Sequence, residues 1–308
     1  MKQSAVVVVG SLNMDLVVST DRMPLIGETI QGTEIHYIPG GKGANQAVGC
    51  ARLGANTIMI GAVGNDLFGG QIIEQLQGYG LQTNRIDKLD GVATGTATIL
   101  HTKQDNCIVI VPGANGQMTE ERVNANKEEF GHAAVVLLQL EIPLDAVMQA
   151  LKLAKAAGAM TVLNPAPALA EPLPKELLQL VDVLTPNETE FAALSGHAVN
   201  VSEAEMRSHL MNWEQKHGNR VLVTRGSAGC SYLDEERQLI TVPSLKVKVT
   251  DTTGAGDCLN AALCCSIAAG RSFAESIQFA VAASSLSVTK FGAQAGMPTE
   301  QDVLKAMQ

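Results

Sequence analysis

The feature that most restricts the fold is an alternation through the second half of the chain: a short apolar run, a polar exit, then a stretch of helical character. The runs are residues 134–138 (Ala-Val-Val-Leu-Leu), 161–163 (Thr-Val-Leu), 182–185 (Asp-Val-Leu-Thr) and 220–224 (Arg-Val-Leu-Val-Thr), with a fifth at 5–9 (Ala-Val-Val-Val-Val). Continuous apolar runs suit strands covered on both faces, and strands joined through helices lie parallel in one sheet. Helices are expected over 145–157, stopped by Gly158, and from two capping boxes: Ser202 with Glu205, running to about His217, and Ser272 with Glu275, running through Val288. In the first half, 57–63 reads as a strand and 68–79 as a helix closing at Gly80. An alternating run at 245–249 reads as a strand feeding a glycine turn and an apolar helix at 259–269. The expected fold is therefore α/β and Rossmann-like. It has a mostly parallel central sheet flanked by helices on both faces, in one domain over residues 1–308.

Two stretches break the pattern. Residues 16–39 and 95–112 carry β-like pieces separated by turn residues, without helical period, and Lys103-Gln104-Asp105-Asn106 reads as a hairpin turn in the second. Two β-rich inserts in an α/β chain predict a small separate sheet, placed as a lid over the ligand end of the large one. Such a sheet has a face to hide, so a homodimer through it is expected.

Composition narrows the partners. A net charge of −9 argues against nucleic acid or an anionic membrane as the main partner. The six cysteines, at 50, 107, 230, 258, 264 and 265, include no C-x-x-C, which fits free thiols in a reducing compartment. No apolar run reaches the length of a membrane span, and the run at 5–9 is too short for a signal segment, so a cytoplasmic protein is expected.

Polar and glycine-rich clusters fall just after the expected strands: Asn13 with Asp15, Glu141, Asn187 with Glu190, the segment Thr224, Arg225, Gly226, Ser227, Ala228, Gly229, and Gly254, Ala255, Gly256, Asp257. In a parallel sheet these exits share one edge, where open α/β sheets bind ligands. A glycine turn opening a helix offers free N–H groups and the positive end of the helix dipole, an anion seat. Asp257 in that seat reads as a general base toward an alcohol whose phosphorylation the N–H groups would assist; a helix-capping aspartate is the alternative. The block Gly40-Gly41-Lys42-Gly43-Ala44-Asn45-Gln46 departs from the phosphate-binding P-loop, since Gly and not Ser or Thr follows Lys42. Its backbone N–H groups, Lys42 and Asn45 make a donor-rich surface suited to polyol oxygens, or else a structural turn. A dinucleotide dehydrogenase, suggested by Gly254-x-Gly256, is disfavoured because the third glycine is absent and the first strand lacks the fingerprint.

Together these motifs resemble the ribokinase-like carbohydrate kinase family. The resemblance runs along essentially the whole chain, through Asn13-x-Asp15, the block at 40–46, Gln139-Leu140-Glu141, Asn164-Pro165-Ala166-Pro167, Pro186-Asn187-Glu188-Thr189-Glu190 and Asp-Thr-Thr-Gly-Ala-Gly-Asp at 251–257. It implies an ATP-dependent sugar kinase, with D-ribose phosphorylated at O5. Asn13, Asp15, Gly41, Lys42, Gly43, Ala44, Asn45 and Glu141 would hold the sugar, and Asp257 would be the base. Gly254, Ala255 and Gly256 would form the anion hole. Asn187, Thr224, Arg225, Gly226, Ser227, Ala228 and Gly229 would border ATP, with Gly256 against its phosphates. Asn187 and Glu190 would place Mg²⁺ through water. Asp251, Thr253, Ser287, Lys290, Gly292 and Gly296 would surround a monovalent cation, usually K⁺. Departures are Val281 where the family often has Asn or His, Leu259 for Phe, Ala261 for Gly, and Ala295-Gly296 for Pro-Ser. Deoxyribose, another pentose or a nucleoside remain alternative substrates, and a sugar sensor without catalysis the alternative class. Scarce aromatic residues, 3% of the chain, disfavour the nucleoside.

Overall fold

A computed structural model describes residues 5–102 and 106–308, with only the backbone of Asn106. The strands are β1 Ala5–Val9, β2 Asn13–Ser19, β3 Glu34–Gly40, β4 Asn56–Gly64, β5 Ile86–Leu89, β6 Gly95–His101, β7 Asn106–Val111, β8 Ala133–Leu138, β9 Met160–Leu163, β10 Val183–Leu184, β11 Arg220–Thr224, β12 Cys230–Leu233 and β13 Leu239–Val242. The helices of the first half are α1 Lys42–Arg52, α2 Leu67–Gly78, α3 Glu120–Ala125, α4 Lys127–Phe130 and α5 Leu144–Ala156. Those of the second are α6 Lys175–Leu178, α7 Glu188–Ser195, α8 Glu203–His217, α9 Ala255–Ala268, α10 Phe273–Ser287, α11 Ala293–Gly296 and α12 Glu300–Ala306.

The large sheet has the order β13-β12-β11-β10-β9-β8-β1-β4-β5 and is parallel from β11 to β5. β12 and β13 close one edge antiparallel. The apolar run of β1 explains its central place, since Val6 and Val8 enter one core while Val7 and Val9 enter the other. The first core is built with α1, α2, α9, α10 and α12, the second with α3 to α8. β1 pairs with β4 on one side and β8 on the other, so the order in which strands are added reverses at β1 while all stay parallel, the position where such sheets open a ligand crevice. Both expected capping boxes form, Ser202 with Glu205 and Ser272 with Glu275.

The small sheet, ordered β3-β2-β6-β7, is the one expected from the two inserts. Its bounds differ: β2 starts at Asn13, with three residues between it and the end of β1, so Asn13 and Asp15 belong to the small sheet and not to a loop leaving the large one. The expected hairpin turn at Lys103-Gln104-Asp105-Asn106 falls outside the described residues apart from Asn106, which opens β7. Tyr37 packs on Phe68 of α2, while Ile35, Ile108, Ile110 and Val111 remain exposed.

A second difference concerns 245–249, which forms no strand. The alternation there has no ladder to join, because β13 already ends the sheet. The segment runs instead along α10, with Leu245 N–H donating to Ser285 Oγ and Thr250 N–H to Val288 O. The glycine turn at 254 is thus brought to the sheet edge by helix packing, α9 against α10 and α1, and not by a preceding strand. The expected strand at 182–185 pairs over Val183–Leu184 alone.

Candidate active site

Four elements converge at the carboxyl ends of β1 and β8. The turn after β1 carries Ser11, whose Oγ donates to Glu141 Oε2 at 2.5 Å, joining the exits of the two strands. α1 begins beside it. Gly41, at φ 87°, is the residue before the helix, and a Cβ there would lie 2.8 Å from Asn13 N. A Cβ at Gly43 would lie 2.5 Å from Ser11 N, so both glycines are required by close backbone approach.

The first N–H groups of α1 are engaged within the protein. Lys42 N donates to Glu141 Oε2 (3.1 Å), Gly43 N to Ser11 Oγ (3.3 Å) and Ala44 N to Ser11 O (2.9 Å). The donor-rich backbone expected at Gly43 and Ala44 is therefore committed to holding the turn, and ligand-facing capacity in this block rests with side chains. Lys42 is chief among them. Burial pulls its pKa down, but Asp257, Glu141, Glu190 and Asp15 around it outweigh that and leave it raised.

α9 starts differently. Gly254 precedes it at φ 76°, and Ala255 N donates back to Thr252 O (3.2 Å). Gly256 N and Asp257 N have no partner among the described residues. A Cβ at Gly256 would meet nothing within 4 Å, so the approach to those N–H groups is open. Two side chains fix the carbonyls behind them: Ser284 Oγ donates to Ala255 O and Asn260 Nδ2 to Gly256 O.

Asp257, in the first turn of α9, is buried. Asn45 Nδ2 donates to its Oδ2 and Gln46 Nε2 to its Oδ1, each at 3.0 Å. Burial raises its pKa; the Lys42 ammonium and the two amide donors pull the other way without cancelling it. Asp15 is pushed up to about 7, by burial first and then by the neighbouring charges of Glu141 and Asp257. Gly40, diagonal to it across β2 and β3, leaves room for its carboxylate, since a Cβ there would strike Oδ2. Asn13 accepts from Asn115 Nδ2 (2.7 Å), and Asn115 also bonds both backbone groups of Leu12. A depression of about 380 Å³ lined by Asn13, Asn115, Glu141 and Ile110 opens beside these residues. A larger hollow of about 520 Å³, lined by Lys155, Arg220 and Phe273, involves none of them.

Asn187 and Glu190 form a capping box at the start of α7: Asn187 N donates to Glu190 Oε2 and Glu190 N to Asn187 Oδ1, both 2.8 Å. Asn187 pairs as a bridge with Thr224 at the end of β11, which brings the two expected nucleotide segments together. Arg225 is engaged within the protein, its Nε donating to Glu188 Oε1 and its Nη1 to Ser231 Oγ. Gly229, at φ 91°, has the Val242 carbonyl against it. Burial raises the pKa of Glu190, against a backbone N–H from Asn187 and the charge of Lys42.

The residues expected around a monovalent cation also gather. Asp251 Oδ1 accepts from Thr253 N and Oγ1, and its Oδ2 from Gly292 N (2.8 Å). These donors hold its pKa down although burial alone would raise it. A Cβ on Gly296 would strike Ser287 O and come within 3.8 Å of Lys290 O, so a small cradle there is edged by carbonyl oxygens. Val281 is buried in the apolar core.

Sequence reasoning missed Ser11, Asn115, Asn260, Ser284 and Gln294 (Nε2 to Asn45 Oδ1, 3.1 Å). Each acts on a partner at least 29 residues distant or at a different fold element, except Asn260, which reaches one turn back. Asn260, at i+4 from Gly256 on an apolar helix, was the one local signal available.

The chain is similar to known proteins along nearly its whole length. The family model described as pfkB family carbohydrate kinase matches residues 3–300. A ribokinase of Bacillus subtilis (strain 168) is 40% identical over 296 residues, covering 96% of this chain and 97% of its own. A ribokinase of Mus musculus is 38% identical, covering 99% and 95%. The solved structure of Arabidopsis thaliana ribokinase complexed with ribose and ATP superposes with a TM-score of 0.92 at 36% identity, covering 100% of this chain and 99% of that one. The chain belongs to the pfkB family of carbohydrate kinases.

Proposed function

We propose that the protein transfers the terminal phosphoryl group of ATP to O5 of D-ribose, giving D-ribose 5-phosphate. The observation that carries the mechanism is the start of α9: a buried carboxylate, Asp257, stands in the same helical turn as N–H groups free to take an anion. Asp257 takes the proton from the sugar hydroxyl as the O–P bond forms. Of the expected Gly254, Ala255 and Gly256 seat, Ala255 N is held by Thr252 O, so the N–H groups that receive the transferring group are those of Gly256 and Asp257, in the turn that Gly254 and Ala255 shape. The side chains of Asn13, Asp15, Lys42, Asn45 and Glu141 hold the sugar hydroxyls, with Gly41, Gly43 and Ala44 shaping the wall behind them. Ribose itself is favoured by the ribokinase relatives, which span the chain from end to end.

ATP lies along Asn187 and the segment from Thr224 to Gly229. Mg²⁺ fits the donor set beside it, one carboxylate, Glu190, with the Asn187 amide behind. A hard cation that keeps its water and takes oxygens from phosphate needs little more. It would neutralise charge on the phosphates. K⁺ fits the carbonyl-edged cradle at Ser287, Lys290 and Gly296, with Asp251, Thr253 and Gly292 bracing the turn, and would hold the anion seat in shape.

The small sheet serves as the lid, because it carries Asn13 and Asp15 on one face. Its exposed Ile108, Ile110 and Val111 support a homodimer through that sheet. A cytoplasmic setting suits this chemistry; among the described residues no helix is long and apolar enough to cross a membrane.

The test is ADP release with Mg²⁺ and K⁺ across ribose, 2-deoxyribose, xylose, fructose and adenosine, repeated on the best substrate without K⁺. Preference for ribose and a fall without K⁺ are expected. Preference for another sugar would retain the mechanism and change the substrate. Binding without turnover would point to a sensor. A sedimentation mass of one chain would remove the dimer.

A further inference from the structure

Two amides of α1 hold Asp257, and they differ in surroundings. Asn45 belongs with the residues proposed to face the sugar. Gln46 is fully buried behind the carboxylate. Its Nε2 donates to Asp257 Oδ1 (3.0 Å) and lies 3.3 Å from Asn164 Oδ1, while its Oε1 accepts from Gln139 Nε2 (2.5 Å). A carboxylate only accepts, so it requires the N–H end of Gln46. Which end faces it depends on what the oxygen end is offered, and Gln139 offers a donor. Gln139, fully buried just beyond β8, leaves its own Oε1 without a protein partner among the described residues. A buried amide with one end unmatched calls for a reason, and donation to Gln46 supplies it. Gly10 leaves the space in which Gln139 sits, since a Cβ there would strike Oε1.

We propose that Gln46 is a positioning residue for Asp257, and that Gln139 sets the orientation of the Gln46 amide. This rests on Asp257 being the base in the reaction proposed above. The two glutamines keep the carboxylate in one rotamer and supply a donor that favours its ionised, proton-accepting form against burial. The charged groups facing Asp257 are Lys42 of α1, Glu141 beyond β8 and Asp15 of β2, and the variants below alter none of them.

Gln46→Met keeps the side chain's length and removes its amide; Gln139→Met removes the donor one step further back. Gln46→Met is expected to lower kcat about 10- to 100-fold and Gln139→Met about 3- to 10-fold. The sugar KM should change less than about threefold, and the acid limb of the kcat/KM profile should move to higher pH by about half a unit or more. A fall in kcat with that limb unmoved overturns the proposal, as does a rise in KM matching the fall in kcat. Should Gln46→Met not fold, Gln139→Met carries the same comparison, and loss of folding in both assigns the amides to the core instead. Absence of sugar phosphorylation by the wild type overturns the proposed reaction separately. A carboxyl-carbon NMR titration of Asp257, identified by its loss in Asp257→Asn, then reads the same shift without turnover. An unchanged midpoint in Gln46→Met defeats the positioning role.

Discussion

α1 and α9 begin alike and are used in opposite ways. Each follows a glycine at positive φ, Gly41 and Gly254, with no side-chain cap, and each has a further glycine within its first two residues. At α1 the first N–H groups are bonded to Glu141 and Ser11, and the second glycine is pressed on the backbone of Ser11. At α9 Ala255 N bonds only the preceding turn, at Thr252 O, while Gly256 N and Asp257 N are free among the described residues and the second glycine faces open space. A glycine turn before a helix is therefore not in itself an anion seat. What decides is whether another part of the chain has already taken the donors.

The largest effect expected from breaking this contrast is at α9. Asp257→Asn should lower kcat at least about 1000-fold with sugar affinity largely kept, read by steady-state kinetics and calorimetry; near wild-type turnover removes the base assignment. At α1, Gly43→Ala should cost about 3 kcal/mol or more of stability, because the added methyl meets backbone that cannot yield, and urea unfolding measures it. Gly256→Ala, the same chemical change, should do the reverse. Stability should rise by about 0.5–1 kcal/mol, the helix propensity of alanine over glycine. Meanwhile kcat should fall about 10- to 100-fold, as a methyl stands where the phosphoryl group must lie. If both variants destabilise equally, the contrast is wrong.

The smallest effect concerns the acid facing Lys42. Asp15 has its pKa raised from 3.8 to about 7 by burial and by Glu141 and Asp257, so the folded state holds a proton that the unfolded chain releases. Stability from this group is complete below about pH 4 and is lost as pH rises to about 7. Asp15→Asn lacks that loss. Its stability relative to wild type should therefore improve between pH 5.5 and pH 8, by roughly 1–2 kcal/mol after allowing for solvent access. A pH-independent difference would contradict the shift.

Much of this was legible in the chain. The valine run of β1, the boxes opening α8 and α10 and the glycines ahead of α1 and α9 all signal structure through their immediate neighbours. The segment at 245–249 misled because alternation records a preference for being extended, not the presence of a ladder to join. The state of the α1 donors was hidden for a related reason. Gly43 and Ser11 are 32 positions apart and Lys42 and Glu141 are 99 apart, and no local rule links them. The same holds for Gln139, which reads as a strand exit until Gln46 is seen against it.

The gathering of Asp15, Glu141 and Asp257 around one lysine gives the proposed reaction a direction. A sugar arrives uncharged and is indifferent to the excess of negative groups. It would leave as a phosphate ester carrying close to two negative charges, beside Glu141 and beside an Asp15 that gives up its proton near pH 7. The residues that admit the substrate thus repel what it becomes more strongly as pH rises through about 7, the range in which Asp15 ionises.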